Sequence, residues 1–397
     1  MVENPNPFNF QPSVSSHRAR SIVVTKPTGA NPSIIKWVVL AVMILGMLVM
    51  GLITVAMIGL LNTGIVGLIV GIITAVIPVP VYLAFVVWID RYEPEPWWML
   101  ALTFAWGATG AVFFSFILNT IGGMIVGGVL GKEAGQIYGA SISAPIVEET
   151  AKAAALFAIF FFKRREFDGV MDGIVYAAMV GLGFAMTENF SYYGTFGPFL
   201  FLLRGTFLAF AHPLFTSMTG IGLGIASESK NMVVKIAAPI IGLGAAMFLH
   251  SFNNTIGTVL VKMMGDIGGL FSLLVLCLGI PFFCGCVLIL AGFSLYRESK
   301  KIREFLQPDI SAERLTAEEV NRIGSIFGRM SASFKALTSG GFKGWQSMGR
   351  FHHIATELAF FRSNMAKGLI LQDANAVLQE QEYANALSEL RPQLPAV

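Results

Sequence analysis

Charge is scarce in this chain. Of its 397 residues only 13% are Asp, Glu, Lys or Arg, about half the roughly 25% of a soluble globular domain. That excludes an ordinary water-soluble fold for most of its length. Cysteine is scarcer still: Cys277, Cys284 and Cys286 all fall in one apolar run. They build no disulfide framework and lack zinc-site partners at useful spacing, so they read as buried or lipid-facing thiols. The His-Glu-x-x-His motif is absent, which removes the soluble zincin plan. No internal repeat is visible. The net charge of +3 is close to balance, and no nucleic-acid partner is expected.

What is present is apolar. Hydrophobic residues make up 55% of the chain, with 42 Gly and 33 Phe, a composition that membrane helices tolerate. The expected fold is all-α: a polytopic helical membrane protein with about eight transmembrane helices and a C-terminal cytosolic helical region, counted at about 20 apolar residues per span. The runs lie near 34–61, 64–89, 97–120, 138–162, 170–191, 199–226, 233–258 and 267–296, the third continuing apolar through Leu130. Three regions follow: a polar, disordered tail over 1–33, a transmembrane domain over 34–296, and a helical domain over 297–397. A secretory signal does not fit, because the tail is too long and the following run exceeds a signal core. In the C-terminal region Phe351, Ile354, Leu358, Phe361 and Met365 form one apolar helical stripe, and Gly340-Gly341 separates two helical stretches. This is either a compact cytosolic domain or a hairpin on the membrane surface.

Loop charge gives orientation. Arg18, Arg20, Lys26 and Lys36 precede the first run. Arg91 follows the second, Lys163-Arg164-Arg165 the fourth, Lys230 and Lys235 the sixth, and Arg297, Lys300, Lys301 and Arg303 the eighth. The opposite loops hold Lys132 and Lys262. The basic side is cytoplasmic, so a multi-pass cell-membrane protein with both termini inside is expected. Asp90-Arg91-Tyr92-Glu93-Pro94-Glu95-Pro96-Trp97-Trp98 reads as a rigid interfacial turn, with prolines bounding the helices and tryptophans at the bilayer edge.

The chemistry sits where charge is most costly. Ala144-Pro145-Ile146-Val147-Glu148-Glu149-Thr150-Ala151-Lys152 puts two carboxylates and a lysine in an apolar run, each costing about 2.5–3.5 kcal/mol at mid-span. On a helix Glu148 and Lys152 share a face, and Glu149 points about 100° away. Later runs add Glu188 and Asn189, then Arg204 and His212-Pro213, then His250 with Asn253 and Asn254 three and four residues on. Helix rise places these groups at similar depth in the outer half of four successive spans. They converge on one wet pocket. His and carboxylate side chains suit zinc with an open position for water, and a glutamate in apolar surroundings suits general-base work.

Glu148-Glu149-x-x-Lys152, Phe184-x-x-x-Glu188-Asn189, His212 and His250, together with the Asp90–Trp97 stretch, resemble the PrsW family of intramembrane proteases, over roughly 80–300, with part of the tail around Ala355–Phe360. The wider superfamily includes the CAAX endopeptidases and bacteriocin-processing proteins. The resemblance implies hydrolysis of a peptide bond in a single-pass membrane protein, such as the first, extracytoplasmic cut of an anti-sigma factor in regulated intramembrane proteolysis. In that reading Glu148 or Glu149 activates water and Lys152 tunes the pair. Glu188, His212 and His250 hold the metal, zinc, or stabilise the oxyanion, with Asn253 or Asn254 assisting. The CAAX relatives supply the alternative, a glutamate that activates water without metal. Two other classes compete: an ion- or proton-coupled transporter using the same Glu/His cluster, and a silent membrane scaffold acting through its tail.

Overall fold

The computed structural model describes residues 34–395 apart from 93, 165, 367 and 369, so the tail expected over 1–33 lies outside the described residues. Among the described residues the chain is helical, without strands: α1 (Ile34–Met57), α2 (Gly64–Val76), α3 (Val79–Ile89), α4 (Trp97–Trp106), α5 (Val112–Leu130), α6 (Lys132–Tyr138), α7 (Ala144–Phe162), α8 (Val170–Phe196), α9 (Ala211–Glu228), α10 (Met232–Phe305), α11 (Gln307–Ser311), α12 (Ala317–Ile323), α13 (Ile326–Ala366) and α14 (Ala374–Leu390). Short wider-turn segments at Ile58–Thr63, Gly107–Ala111, Gly139–Ser143 and Leu202–Phe207 join or extend several of them.

Five continuous stretches are long and apolar enough to cross a membrane: Trp37–Ile89, Trp97–Leu130, Val170–Phe196, Pro198–Glu228 and Met232–Ser311. The fold class read from composition is therefore the observed one. The third run extends to Leu130 rather than 120, and the return helix starts at Lys132. Gly131 between them takes φ +93°, a conformation open to glycine at little cost. Gly135 then lies so close to Gly127 that a Cβ on it would sit 2.8 Å from the Gly127 Cα. The long α10 turns back in the same way at Gly265, φ +59°. The Ser272 hydroxyl donates across that hairpin to the Ile256 carbonyl at 3.0 Å.

α8 is the centre. Every residue from Met171 to Ala185 is buried, as expected for a helix covered on all sides. It packs against α2, α3, α4, α7 and α9. The α8–α9 approach is close because Gly173 and Gly220 face each other: a Cβ on Gly173 would lie 2.1 Å from the Gly220 carbonyl oxygen. Backbones meeting this closely exclude lipid and water. α9 begins afresh at Ala211 after the helical path breaks over 208–210. His212-Pro213 thus stands in the first turn of a new helix.

The C-terminal region has its own core of Leu306, Val320, Ile323, Met348, Phe351, Leu358 and Leu387 among others. Phe351, Leu358 and Phe361 of the expected stripe are buried, while Ile354 and Met365 pack at its edge. The chain reverses at Gly341, φ +61°, beside the expected Gly-Gly break. The composition change at Arg297 falls inside α10, which continues unbroken to Phe305.

One residue of the turn between α3 and α4 enters this core: Tyr92, whose hydroxyl donates to the Gly324 carbonyl at 3.1 Å. The turn is otherwise held by Asp90 Oδ2, which accepts from the Glu95 amide (2.8 Å), and by the Tyr176 hydroxyl, which donates to Glu95 Oε2 at 2.5 Å. Burial pushes the Asp90 carboxyl up to about 8. Burial, with Asp172 nearby, pushes Glu95 up to about 11.

Candidate active site

α7 carries Glu148, Glu149 and Lys152 into the interior, and all three are buried. The two glutamates face different neighbours, as one helical step requires. Glu149, fully buried, is saturated with donors. Lys152 Nζ donates to its Oε1 at 2.8 Å, His250 Nδ1 reaches the same oxygen at 2.9 Å, and the Thr216 hydroxyl donates to Oε2 at 3.0 Å. Lys152 also donates to His212 Nδ1 at 2.9 Å and sits 3.9 Å over the Phe184 ring. His212 turns its other nitrogen, Nε2, to Glu188 Oε2 at 2.9 Å. Arg204 closes the far side, donating to Glu188 Oε2 at 2.5 Å and to Asn189 Oδ1 at 2.6 Å.

Glu148 is different. Its Oε1 accepts a long 3.4 Å bond from Asn119, but its Oε2 is buried without a hydrogen-bond partner. The nearest side-chain nitrogens stand off: Lys152 Nζ at 3.7 Å and His250 Nε2 at 3.8 Å. A buried carboxylate oxygen with an empty lone pair is costly and is the feature that points to a ligand. Glu148, His212 and His250 can each offer one donor atom, all within 4.8 Å of one another. The imidazole centroids are 5.2 Å apart, and Phe215 stacks on His250 at 5.0 Å. The orphaned oxygen and the His/carboxylate donor set fit a metal ion.

The structure thus gathers Glu148, Glu149, Lys152, Glu188, His212 and His250 in one network. The three-donor group contains Glu148, where the sequence reading set Glu188 beside the histidines; Glu188 instead accepts from His212 and Arg204. Asn253 and Asn254 stand apart. Asn253 donates to Asn254 Oδ1 at 3.0 Å, and Asn254 donates to the Ala140 carbonyl at 3.0 Å. With Ser251, which donates to the Ser141 carbonyl at 2.6 Å, they tie α10 to the turn that leads into α7.

Three contributors were missed. Thr216 was visible in principle, four residues after His212 and hence on its face. Asn119 is an isolated amide in an apolar run whose end was misplaced; Ser143 orients it by donating to its Oδ1 at 2.8 Å. Trp106 Nε1 donates to the Ala151 carbonyl at 2.9 Å, and nothing in its local sequence announces that.

Residues 95–285 match the model of the PrsW family of intramembrane metalloproteases, a stretch that contains the whole network. Over this stretch, just under half of the chain, the sequence is similar to the PrsW family. Among curated proteins it is similar to protease PrsW of Geobacillus kaustophilus, 31% identical over 135 residues, which are 34% of this chain and 57% of the relative. Protease PrsW of Oceanobacillus iheyensis is 32% identical over 114 residues, 28% and 53% of the two chains. Protease PrsW of Bacillus subtilis is 29% identical over 171 residues, 43% and 75%. The chain therefore spans little more than half the length of the first two relatives. The tail after residue 285 lies outside the PrsW match. No solved structure matches. This similarity favours the protease reading of the Glu/His network over a transporter.

Proposed function

We propose that the chain is an intramembrane endopeptidase that hydrolyses a peptide bond of a single-pass membrane protein, with the Glu148 network as its catalytic centre. The observation that carries this is the unpartnered Glu148 Oε2, buried beside His250. Glu148 Oε2 takes the proton of an attacking water as oxygen bonds to the carbonyl carbon, and returns it to the departing amine as the C–N bond breaks. Glu149 holds His250 through Nδ1 and turns Nε2 to the reaction. Lys152 and Glu188 hold His212 from its two nitrogens; to ligate a metal His212 would release one of these partners, and the other would keep the ring oriented. His212, His250 and the other oxygen of Glu148 would hold zinc, leaving Oε2 as the base; zinc when bound supplies Lewis-acid polarisation of the carbonyl. Glu188 is the most solvent-exposed carboxylate of the network, so water enters from its side. Asn253 and Asn254 act by fixing the turn before α7.

The membrane domain crosses eight times in this reading. Of the five apolar stretches, the first is divided at Gly64 and the last at Gly265, and α7 adds one more. Loop charge then sets both ends in the cytoplasm and opens the network toward the outer half. That favours an extracytoplasmic first cut, as on a single-pass anti-sigma factor. Reporter fusions after Thr63, Lys163, Ser229 and Lys301 should read outside, inside, inside and inside. The chemistry is tested by metal content: purified protein should carry one zinc per chain, lose it on His250→Ala, and lose cleavage with it. Full cleavage by metal-free protein would remove zinc from the scheme.

A further inference from the structure

The first arm of α13 has two apolar sides. Ala332 and Ala336 face the tail core. On the opposite side Phe327, Met330, Phe334 and Leu337 recur at helical spacing, with Phe327 83% and Phe334 67% exposed. Past the turn at Gly341, Phe342 and Trp345 continue the apolar surface with their rings stacked at 5.5 Å. Domains that live in water rarely leave a contiguous aromatic surface bare.

Two further observations say what covers it. The stripe is continuous with the membrane boundary: Met330 Sδ lies 3.2 Å from an Arg91 guanidinium nitrogen, and Arg91 sits 4.1 Å over the Trp88 ring. Trp88 is half exposed at the end of the Trp37–Ile89 apolar stretch. The flank is also of one sign. Between Glu319 and Glu357 the sequence has no Asp or Glu, but it has Arg322, Arg329, Lys335, Lys343 and Arg350. Lys335, Lys343 and Arg350 are exposed. An aromatic face bordered by basic residues, starting at the bilayer edge, matches a helix lying in the interface of an anionic membrane.

We propose that residues 326–345 form a hairpin that lies on the bilayer surface, its aromatic stripe inserted among anionic lipid headgroups. The proposal rests on the eight-pass reading only for naming the leaflet as cytoplasmic. The hairpin then shares one plane with Trp88, Trp97 and Trp98, and the tail core that receives Tyr92 is held against the membrane.

The test uses the full chain in vesicles of phosphatidylglycerol and phosphatidylethanolamine, with Cys277, Cys284 and Cys286 replaced by Ser. Nitroxide labels are placed at Phe334→Cys, Phe327→Cys and, on an exposed polar position of α14, Glu382→Cys. The labels at 327 and 334 should collide more with oxygen than with a water-soluble nickel complex, and the label at 382 should show the reverse. Changing to phosphatidylcholine alone should shift 327 and 334 toward the aqueous pattern. An aqueous pattern at all three sites in the anionic vesicles would overturn the proposal. So would spin–spin broadening at 334 that vanishes on dilution with unlabelled protein, since a second copy would then cover the stripe. No activity is read, so failure here is distinct from failure of the protease reading.

Discussion

Two of the buried charge clusters, one in the membrane region and one in the tail, are built on different terms. In the tail, Asp309 is fully buried, with Oδ1 taken by Arg314 at 2.7 Å and Oδ2 by Arg362 at 2.5 Å; Arg362 also reaches Glu380 at 2.7 Å. Both oxygens of the buried acid are occupied. In the membrane region Glu149 is as fully occupied, but its neighbour Glu148 keeps an oxygen free. Burying charge without completing it costs free energy. A fold that does so beside two imidazoles has spent stability on reactivity. In the proposed reading the free carboxylate oxygen marks the reaction centre, and the completed Asp309 cluster is architecture.

That distinction can be broken most sharply by removing charge from each cluster. Glu148→Gln keeps shape and removes the free oxygen's basicity. Cleavage of a membrane substrate should fall by about 10²-fold or more, with membrane insertion unchanged; Glu149→Gln should fall similarly by releasing His250 and Lys152. Normal rates in both would reduce the pair to helix packing. In the tail, Arg362→Ala leaves Asp309 buried with its pairing broken. It should destabilise the tail by about 3–5 kcal/mol, read as faster amide exchange over 307–390 in the full chain, while the membrane network is untouched.

A smaller effect is expected at Arg204, which touches Glu188 and through it positions His212. Arg204→Lys keeps the charge but loses the planar fork, so turnover should drop about tenfold. Rescue of the rate relative to Arg204→Ala would show that charge outweighs geometry.

The smallest is a pH effect in the tail. Burial, with Arg329 and Arg322 near, pushes His352 down to about 3. Between about 3 and the ordinary value near 6.5 the unfolded tail binds the extra proton and the folded tail does not. The stability tied to neutral His352 is complete above about 6.5 and drains away as pH falls. His352→Leu should flatten that part of the stability curve, measured by tail amide exchange; an unchanged slope would show that other groups control it.

Much of this was legible in the sequence because charge in apolar runs is conspicuous. Glu148, Glu149, Lys152, Glu188, His212 and His250 were found as a set from their depth in successive apolar runs. The hairpin turn at Gly131 was missed, since Val129-Leu130 and the residues before them read as one uninterrupted apolar run with no polar loop. Asn119 disappeared with it. Which glutamate keeps a free oxygen was not readable either, because it depends on Thr216 and His250 arriving from other helices. α14 packs through Tyr383 and Leu387 together with Ala376, Ala384 and Ala386, and the small residues among them give little pattern.

The central claim is that a peptide bond is cut by the Glu148 network. The direct measurement labels new protein N-termini by mass spectrometry in membranes carrying the native chain or Glu148→Gln at equal amounts. The account predicts at least one new terminus within or beside the span of a single-pass protein, on the extracytoplasmic side, present with the native chain and lost with the variant. Identical sets of termini in the two membranes would contradict it.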